Sequence, residues 1–235
     1  MLDIASRRAA LTRLGTLSLG AALVLGGCSA EPGERKMFIE FLQTRVLNRQ
    51  RAVIPKLNEQ ERKAVGRYAD HYDIITGFNK EMSDSTWAKM MNRLEHTRTL
   101  PQMMAKRKEV SDLVTHLPQA EKDAKGCLDR ANAAKAALKQ PDDLRAIYDA
   151  AFDKLVTQPG GLMLQLIPAM QSMLSAIMEL VTYVEQHPKE VTISGMTVEA
   201  HSQASLNKVN ALIKKVETDS EAMGKLESAL RKMAG

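Results

Sequence analysis

Apolar residues recur along most of this chain at intervals of three and four, the spacing that gathers side chains on one side of an α-helix. From Arg35, the positions Phe38, Phe41, Leu42 and Val46 define a first face, with Arg45 beside it, that fades near Asn48 and closes before Pro55. A second helix is expected from Asn58. Glu61 stands three residues on, at the reciprocal position of a capping box, and Val65, Tyr68, Tyr72, Ile75 and Met82 lie on one side. Trp87, Met91 and Leu94 continue the pattern past an irregularity at Ser83-Asp84-Ser85.

The most regular stretch follows: Leu113, Leu117, Ala120, Ala124, Cys127, Ala131, Ala134 and Leu138 alternate four and three residues apart, as in a coiled-coil seam. Its alanines allow a neighbouring helix to approach closely. Pro118 interrupts the seam and either kinks one long helix or opens a second at its first turn. Pro141-Asp142-Asp143 reads as another helix start, with acids near the positive end of the dipole and Leu144, Tyr148, Ala151, Phe152 and Leu155 facing inward. Pro159-Gly160-Gly161 predicts a firm break. Beyond it Leu166, Met170, Met173, Ile177, Val181 and Val184 form the most apolar helix, while Gln165, Gln171, Ser175 and Glu179 argue against a membrane span. The alternation of Val191 to Val198 predicts a hairpin turning at Ser194-Gly195, and a last helix begins near Ser202, carrying Leu206, Val209, Ile213, Val216, Met223, Leu226 and Leu230. The expected fold is all-α: an antiparallel helical bundle with one short β-hairpin before the last helix.

The N-terminus stands outside this scheme. Arg7, Arg8 and Arg13 flank and precede an apolar run, Leu14 to Val24, too short to span a bilayer comfortably. The run ends in Leu25-Gly26-Gly27-Cys28, which resembles the lipobox of bacterial lipoproteins: an aliphatic residue, two small residues, and the cysteine that receives a diacylglyceryl group. The resemblance implies cleavage between Gly27 and Cys28. Residues 1–27 are then a signal peptide, 28–33 a lipidated tether ending in Pro32-Gly33, and 34–235 a single helical domain. Ser6-Arg7-Arg8-Ala9-Ala10-Leu11 also resembles a twin-arginine signal, but Ala10 and Thr12 depart from it, so ordinary secretory export is expected. Each buried methylene contributes about 0.8 kcal/mol, so two or three acyl chains, palmitate among them, make release negligible. Ser29, where an aspartate would favour retention at the inner membrane, points to the outer membrane. The tether spans at most about 20 Å, which keeps the body close to the headgroups on the periplasmic side.

Without Arg7, Arg8, Arg13 and Asp3 the formal charge falls from +5 to +3, so the mature chain is only mildly basic. Aromatic residues make up 4% of the chain and are not interleaved with bases, which argues against nucleic acid as a partner. Cys127 is the sole thiol left once Cys28 is acylated, so no intramolecular disulfide forms, and its place on the alanine seam marks it for core packing. The five histidines, His71, His96, His116, His187 and His201, show no metal-ligand spacing, and no metal or other cofactor is expected. Asp70-His71-Tyr72-Asp73 is the nearest approach to an acid-base cluster, but His71 is expected to point away from the Tyr68 and Tyr72 face into solvent, and no catalytic residue is assigned. Fourteen methionines, Met170, Met173 and Met178 on one helix, read as core filling rather than as thioether ligands for Cu(I). Arg45, Arg49, Arg51 and Lys56 occur without an intervening acid, and Lys106-Arg107-Lys108 form a second basic group. The first reading of both is a solvated helix face, and the alternative is that either rests on anionic headgroups, at about 1 kcal/mol per charge.

Three stretches carry a resemblance. Arg35-Lys36-Met37-Phe38-Ile39-Glu40-Phe41-Leu42-Gln43, Leu138-Lys139-Gln140-Pro141-Asp142-Asp143-Leu144 with Phe152, and Leu166-Ile167-Pro168-Ala169-Met170-Gln171 are similar to segments of the YiaF-like family of Gram-negative lipoproteins, a domain of unknown function. The resemblance implies a lipid anchor and a hairpin before the last helix, and it assigns no catalytic residue. The expected function is a non-enzymatic, lipid-anchored interaction module of the envelope, contacting another envelope protein or the membrane surface. The alternative is a carrier that encloses a lipid or other apolar ligand within the bundle, and an envelope hydrolase comes third.

Overall fold

The computed structural model describes residues 30–94, 100–194 and 197–234, so the leader, Gly27, Cys28 and the hairpin turn at 195–196 lie outside the described residues. Helix α1 (Glu31–Phe41) carries Glu31 and Glu34 at its positive end and continues without a break as a π-turn, Leu42–Leu47. The helical body therefore opens at Glu31, within the stretch assigned to the tether. Helix α2 (Glu59–Val65) has the expected capping box: the Glu61 amide donates to Asn58 Oδ1 at 2.8 Å and the Asn58 amide to Glu61 Oε2 at 2.9 Å. It ends at Gly66, where φ is +53°, and a single 3₁₀ turn leads into α3 (Ala69–Ser83).

Helix α4 (Thr86–Leu94) is separate from α3, because Ser85 turns the chain and its hydroxyl accepts the Ala88 amide at 3.4 Å. After α5 (Leu100–Ala105), α6 (Arg107–Ala136) runs through Pro118 as one helix, with that proline on its exposed side. The seam is buried from Val110 to Ala131, whereas Ala134 is exposed and the last turn of α6 meets α7 through Lys135, which pairs with Asp149 at 2.9 Å.

The expected break at Pro159-Gly160-Gly161 is absent. Helix α7 (Asp142–Phe152), a π-turn (Asp153–Thr157) and α8 (Gln158–Gln186) form one helix of 45 residues. Pro159 falls in the first turn after the π-segment, where its missing amide costs the α-ladder least. Gly160 is buried: a Cβ there would lie 3.1 Å from Leu128 Cδ1 and 3.4 Å from Phe78 Cζ, so the glycine lets α8 close on α6 and α3. By length and composition this helix is apolar enough to cross a membrane; 33% of its most apolar window is buried inside the fold, where α8 packs against both α6 and α9.

Strands β1 (Val191–Ser194) and β2 (Thr197–Ala200) pair antiparallel as expected, with Val191 opposite Ala200 and Ser194 opposite Thr197. Ser202 then caps α9 (Gln203–Ala234), its hydroxyl accepting the Ser205 amide at 3.2 Å. Leu206 does not face inward but is 38% exposed. The inner position belongs to Ser205, which is fully buried, donates to Glu190 Oε2 at 2.5 Å and accepts from Tyr183 OH at 3.2 Å. The Ser205 hydrogen bond holds the Glu190 carboxyl below the usual carboxylate range.

Three apolar clusters result. The first joins α1, α3 and α7 and concentrates Phe38, Phe41, Tyr68, Tyr72, Phe78, Tyr148 and Phe152, seven of the nine aromatic side chains. The second joins α4, α6, α8 and α9, and ten of the fourteen methionines lie in it or against it among leucine, isoleucine and valine. The third seats the hairpin on the end of α8 and the start of α9.

One contact ties the first cluster to the chain beyond α1. Lys154, on the second π-turn, donates to the carbonyl oxygens of Val46 at 3.0 Å, Leu47 at 3.4 Å and Arg49. An ammonium there offsets the negative end of the α1 rod and adds a charged donor to its terminal carbonyls. Replacing Lys154 with methionine keeps the stem and is expected to cost about 2 kcal/mol, the range for hydrogen bonds to a charged group. Urea denaturation measures the loss, and amide exchange should quicken first in residues 48–56. Uniform exchange would mean that the lysine does not hold this segment.

Candidate functional site

The segment after the α1 rod, residues 48–58, carries the exposed positive charge that the sequence singled out. It is neither helix nor strand from Ala52 to Asn58 and is held from behind at separate points: by Lys154, by the Ala52 amide donating to Met233 O at 2.5 Å, and by Tyr72 OH donating to Pro55 O at 2.6 Å. Its side chains alternate. Ala52 and Ile54 turn inward toward Phe78, Met82, Trp87 and Leu155 along a groove of about 360 Å³, whereas Arg49, Arg51 and Val53 line a second hollow of about 620 Å³ with Arg45.

Arg45 does not share the freedom of its neighbours. Its Nη1 donates to Glu61 Oε1 at 2.5 Å and its guanidinium lies 5.7 Å from the Phe41 ring centroid, so it joins the π-turn to the cap of α2. Arg49, Arg51 and Lys56 are exposed and make no ion pair among the described residues. Val53, between the arginines and Pro55, is 55% exposed. The second basic group is engaged elsewhere: Arg107 pairs with Glu185 and donates to Thr182 Oγ1 at 3.1 Å, joining α6 to α8, and Lys106 lies 3.8 Å from Glu109.

A polar cleft of about 910 Å³ separates α3 and α4 from α6. Two ion pairs and a pair of neutral donors to Asp123 lie along it, while Lys80, Lys89 and Lys122 also line it. Arg130 donates to Glu81 Oε2 at 2.6 Å, Lys125 pairs with Asp129 at 2.6 Å, and Asp123 accepts from Thr86 at 3.1 Å and Gln119 at 2.7 Å. The Arg130 hydrogen bond holds the Glu81 carboxyl below its ordinary value. Cys127 borders this cleft but is 6% exposed, and burial together with Glu81 pushes its thiol upward, so it stays protonated and packs as the seam requires.

His71 is a correction. It is half-buried, edge-on to Tyr68 at 5.1 Å, with Nδ1 2.9 Å from Gln140 Nε2, and its own carbonyl accepts from Tyr148 OH at 2.7 Å. Tyr68 and His71 stand three residues apart on the helix and so share a side, which α7 and the segment before it cover. Burial lowers the imidazole pKa, which leaves a neutral ring able to accept from the Gln140 amide. Among the described residues no three His, Cys, Asp or Glu side chains gather where they could hold a metal ion. Met170 and Met173 lie within the second apolar cluster. Sequence reasoning missed Lys154, whose three acceptors lie more than a hundred residues away, and no local pattern marks it.

With this geometry in hand, comparison places the chain among known proteins. A family model described as protein of unknown function (DUF3053) matches residues 16–231. The uncharacterized protein YiaF of Escherichia coli K12 is 27% identical over 193 residues, covering 80% of this chain and 81% of that protein, and the YiaF proteins of Escherichia coli O157:H7 and Shigella flexneri match to the same extent. No solved structure matches the chain.

Proposed function

We propose a function from the premise that this chain belongs to the DUF3053 family: it is a lipid-anchored, non-enzymatic helical module of the bacterial envelope that contacts another envelope protein or the membrane surface. The observation that carries this reading is the immediacy of the fold after the lipobox, since α1 opens at Glu31, three residues beyond Cys28. So short a tether holds the bundle against the headgroups. The family match begins at residue 16, inside the apolar leader, so the Leu25-Gly26-Gly27-Cys28 junction falls within the span shared with the family. Ser29 directs the chain to the outer membrane, facing the periplasm.

Mass analysis of the native protein tests the anchor. The expected N-terminal peptide begins at Cys28 with a diacylglyceryl group and an amide-linked acyl chain such as palmitate. A bare thiol behind an intact leader would overturn the reading. Crosslinking in intact cells is expected to recover one envelope protein reproducibly.

The groove beneath Ala52 and Ile54 favours the alternative, a carrier of an apolar ligand. The α8 face bearing Leu166, Ile167, Met170 and Leu174 is packed within the bundle, which leaves such a ligand this groove at its edge. Native mass spectrometry would detect a co-purified lipid.

A further inference from the structure

We propose that the segment 48–58 is a second bilayer contact, with Val53 among the acyl chains and Arg49 and Arg51 on headgroup phosphates, so that the α1 rod lies along the membrane instead of standing on it. The inference rests on the lipid-anchor reading of Cys28 and adds an orientation to it. Residues 31–47 form one helical rod, which at 1.5 Å per residue is roughly 25 Å long. The anchor precedes one end of the rod and the basic segment follows the other. Were the rod upright, Arg49 and Arg51 would stand roughly 25 Å from the phosphates, well beyond the Debye length of about 8 Å at physiological salt. Their charge would then do nothing at the surface. A rod lying flat brings both ends to the same leaflet.

The surface chemistry at the far end suits that partner. From Val46 to Asn58 the chain contains no acid, while Arg49, Arg51 and Lys56 are exposed, and Lys232 is exposed on the last turn of α9, beside Met233 whose carbonyl binds Ala52. Among the described residues Val53 is the most exposed of the large apolar side chains, and Met37, 44% exposed, lies on α1 between the anchor and the basic segment. An apolar tip ringed by cations fits an anionic bilayer, where the tip enters the acyl boundary and the cations hold the phosphates. The segment is also preorganised, because Lys154, Tyr72 and Met233 fix its backbone before any membrane is met.

Depth measurements on the lipidated chain test the orientation. Nitroxide labels are placed at Val53→Cys, Met37→Cys and Leu206→Cys in a Cys127→Ala background, and the protein is reconstituted into phosphatidylethanolamine and phosphatidylglycerol vesicles. The label at position 53 is expected to be shielded from an aqueous relaxer and accessible to oxygen, that at 37 to sit at headgroup depth, and that at 206 to remain in water. Arg49→Gln with Arg51→Gln, tested on the mature chain without its lipid, is expected to weaken binding to the same vesicles roughly 30-fold. Floating protein whose position 53 is as wet as position 206 overturns the orientation while leaving the anchor intact. Protein that fails to float with vesicles at all overturns the anchor instead. Retention by phosphatidylcholine vesicles equal to that by anionic ones, with no loss in the double variant, would assign the basic segment to something other than phosphates.

Discussion

Phe38→Ala is expected to lower the stability of the folded chain by about 4 kcal/mol, the range for deleting a fully buried aromatic side chain. Phe38 is 0% exposed and lies where α1 meets α3 and α7. Its ring stacks on Tyr68 with centroids 5.8 Å apart, meets Tyr72 edge-on at 6.5 Å and approaches Tyr148 at 6.3 Å. Offset and edge-on pairs contribute beyond the area they bury, and three partners would lose theirs together. For a chain of this size the loss corresponds to a fall in Tm of roughly 8–16 °C. Phe38→Leu, which refills most of the volume, should cost about 1 kcal/mol, and Met37→Ala on the exposed side less than about 0.5 kcal/mol. Thermal melts followed by near-ultraviolet circular dichroism read the tyrosine environment directly. A Phe38→Ala melt no lower than that of Met37→Ala would mean that α1 is not seated in this core.

The helices were legible wherever the apolar repeat was long. The seam from Leu113 to Ala131, the capping box at Asn58 and the hairpin before α9 all follow from spacing and cap chemistry, which are local properties. What escaped depends on contacts across the fold. Pro159-Gly160-Gly161 has the composition of a turn, yet tertiary packing uses Gly160 as a contact point for Leu128 and Phe78 and carries the helix through. His71 lies beside Tyr68 because a three-residue spacing puts both on one side, and α7, remote in sequence, then half-buries it. Leu206 yields the inner position to Ser205 because Glu190 and Tyr183, on other elements, supply hydrogen-bond partners that no helical repeat encodes.

The basic residues show the same division. Their run without an acid was visible in the sequence, but their separation into roles was not. Arg45 is drawn into the fold by Glu61 and Phe41, whereas Arg49 and Arg51 are left outward by a backbone that Lys154 fastens. Arg107 likewise belongs to the joint between α6 and α8. Charge density along a chain therefore marks candidates, and the ion pairs decide which of them remain available to a surface.

Gly66→Ala should have the second-largest effect, and it concerns the joint that sets the direction of the α1 rod against α2 and α3. Gly66 closes α2 at φ +53° and ψ −125°, a conformation from which a Cβ is excluded. The space is also taken: a Cβ would lie 2.1 Å from Glu34 Cδ and 2.2 Å from its Oε1. Glu34 is placed there because its Oε2 accepts from both the backbone amide and Nε of Arg67, each at 3.4 Å, so the glycine is the seat on which α1 locks to the turn before α3. Backbone strain of about 1–3 kcal/mol and eviction of the carboxylate act together, for an expected loss of about 3 kcal/mol. The two parts separate in a double-mutant cycle. Glu34→Ala alone removes a half-exposed pair and should cost less than about 1 kcal/mol, while in that background Gly66→Ala should cost about 1 kcal/mol less than in the parent. An unchanged cost would confine the effect to the backbone. A negligible cost in both backgrounds would mean that residue 66 does not hold this conformation.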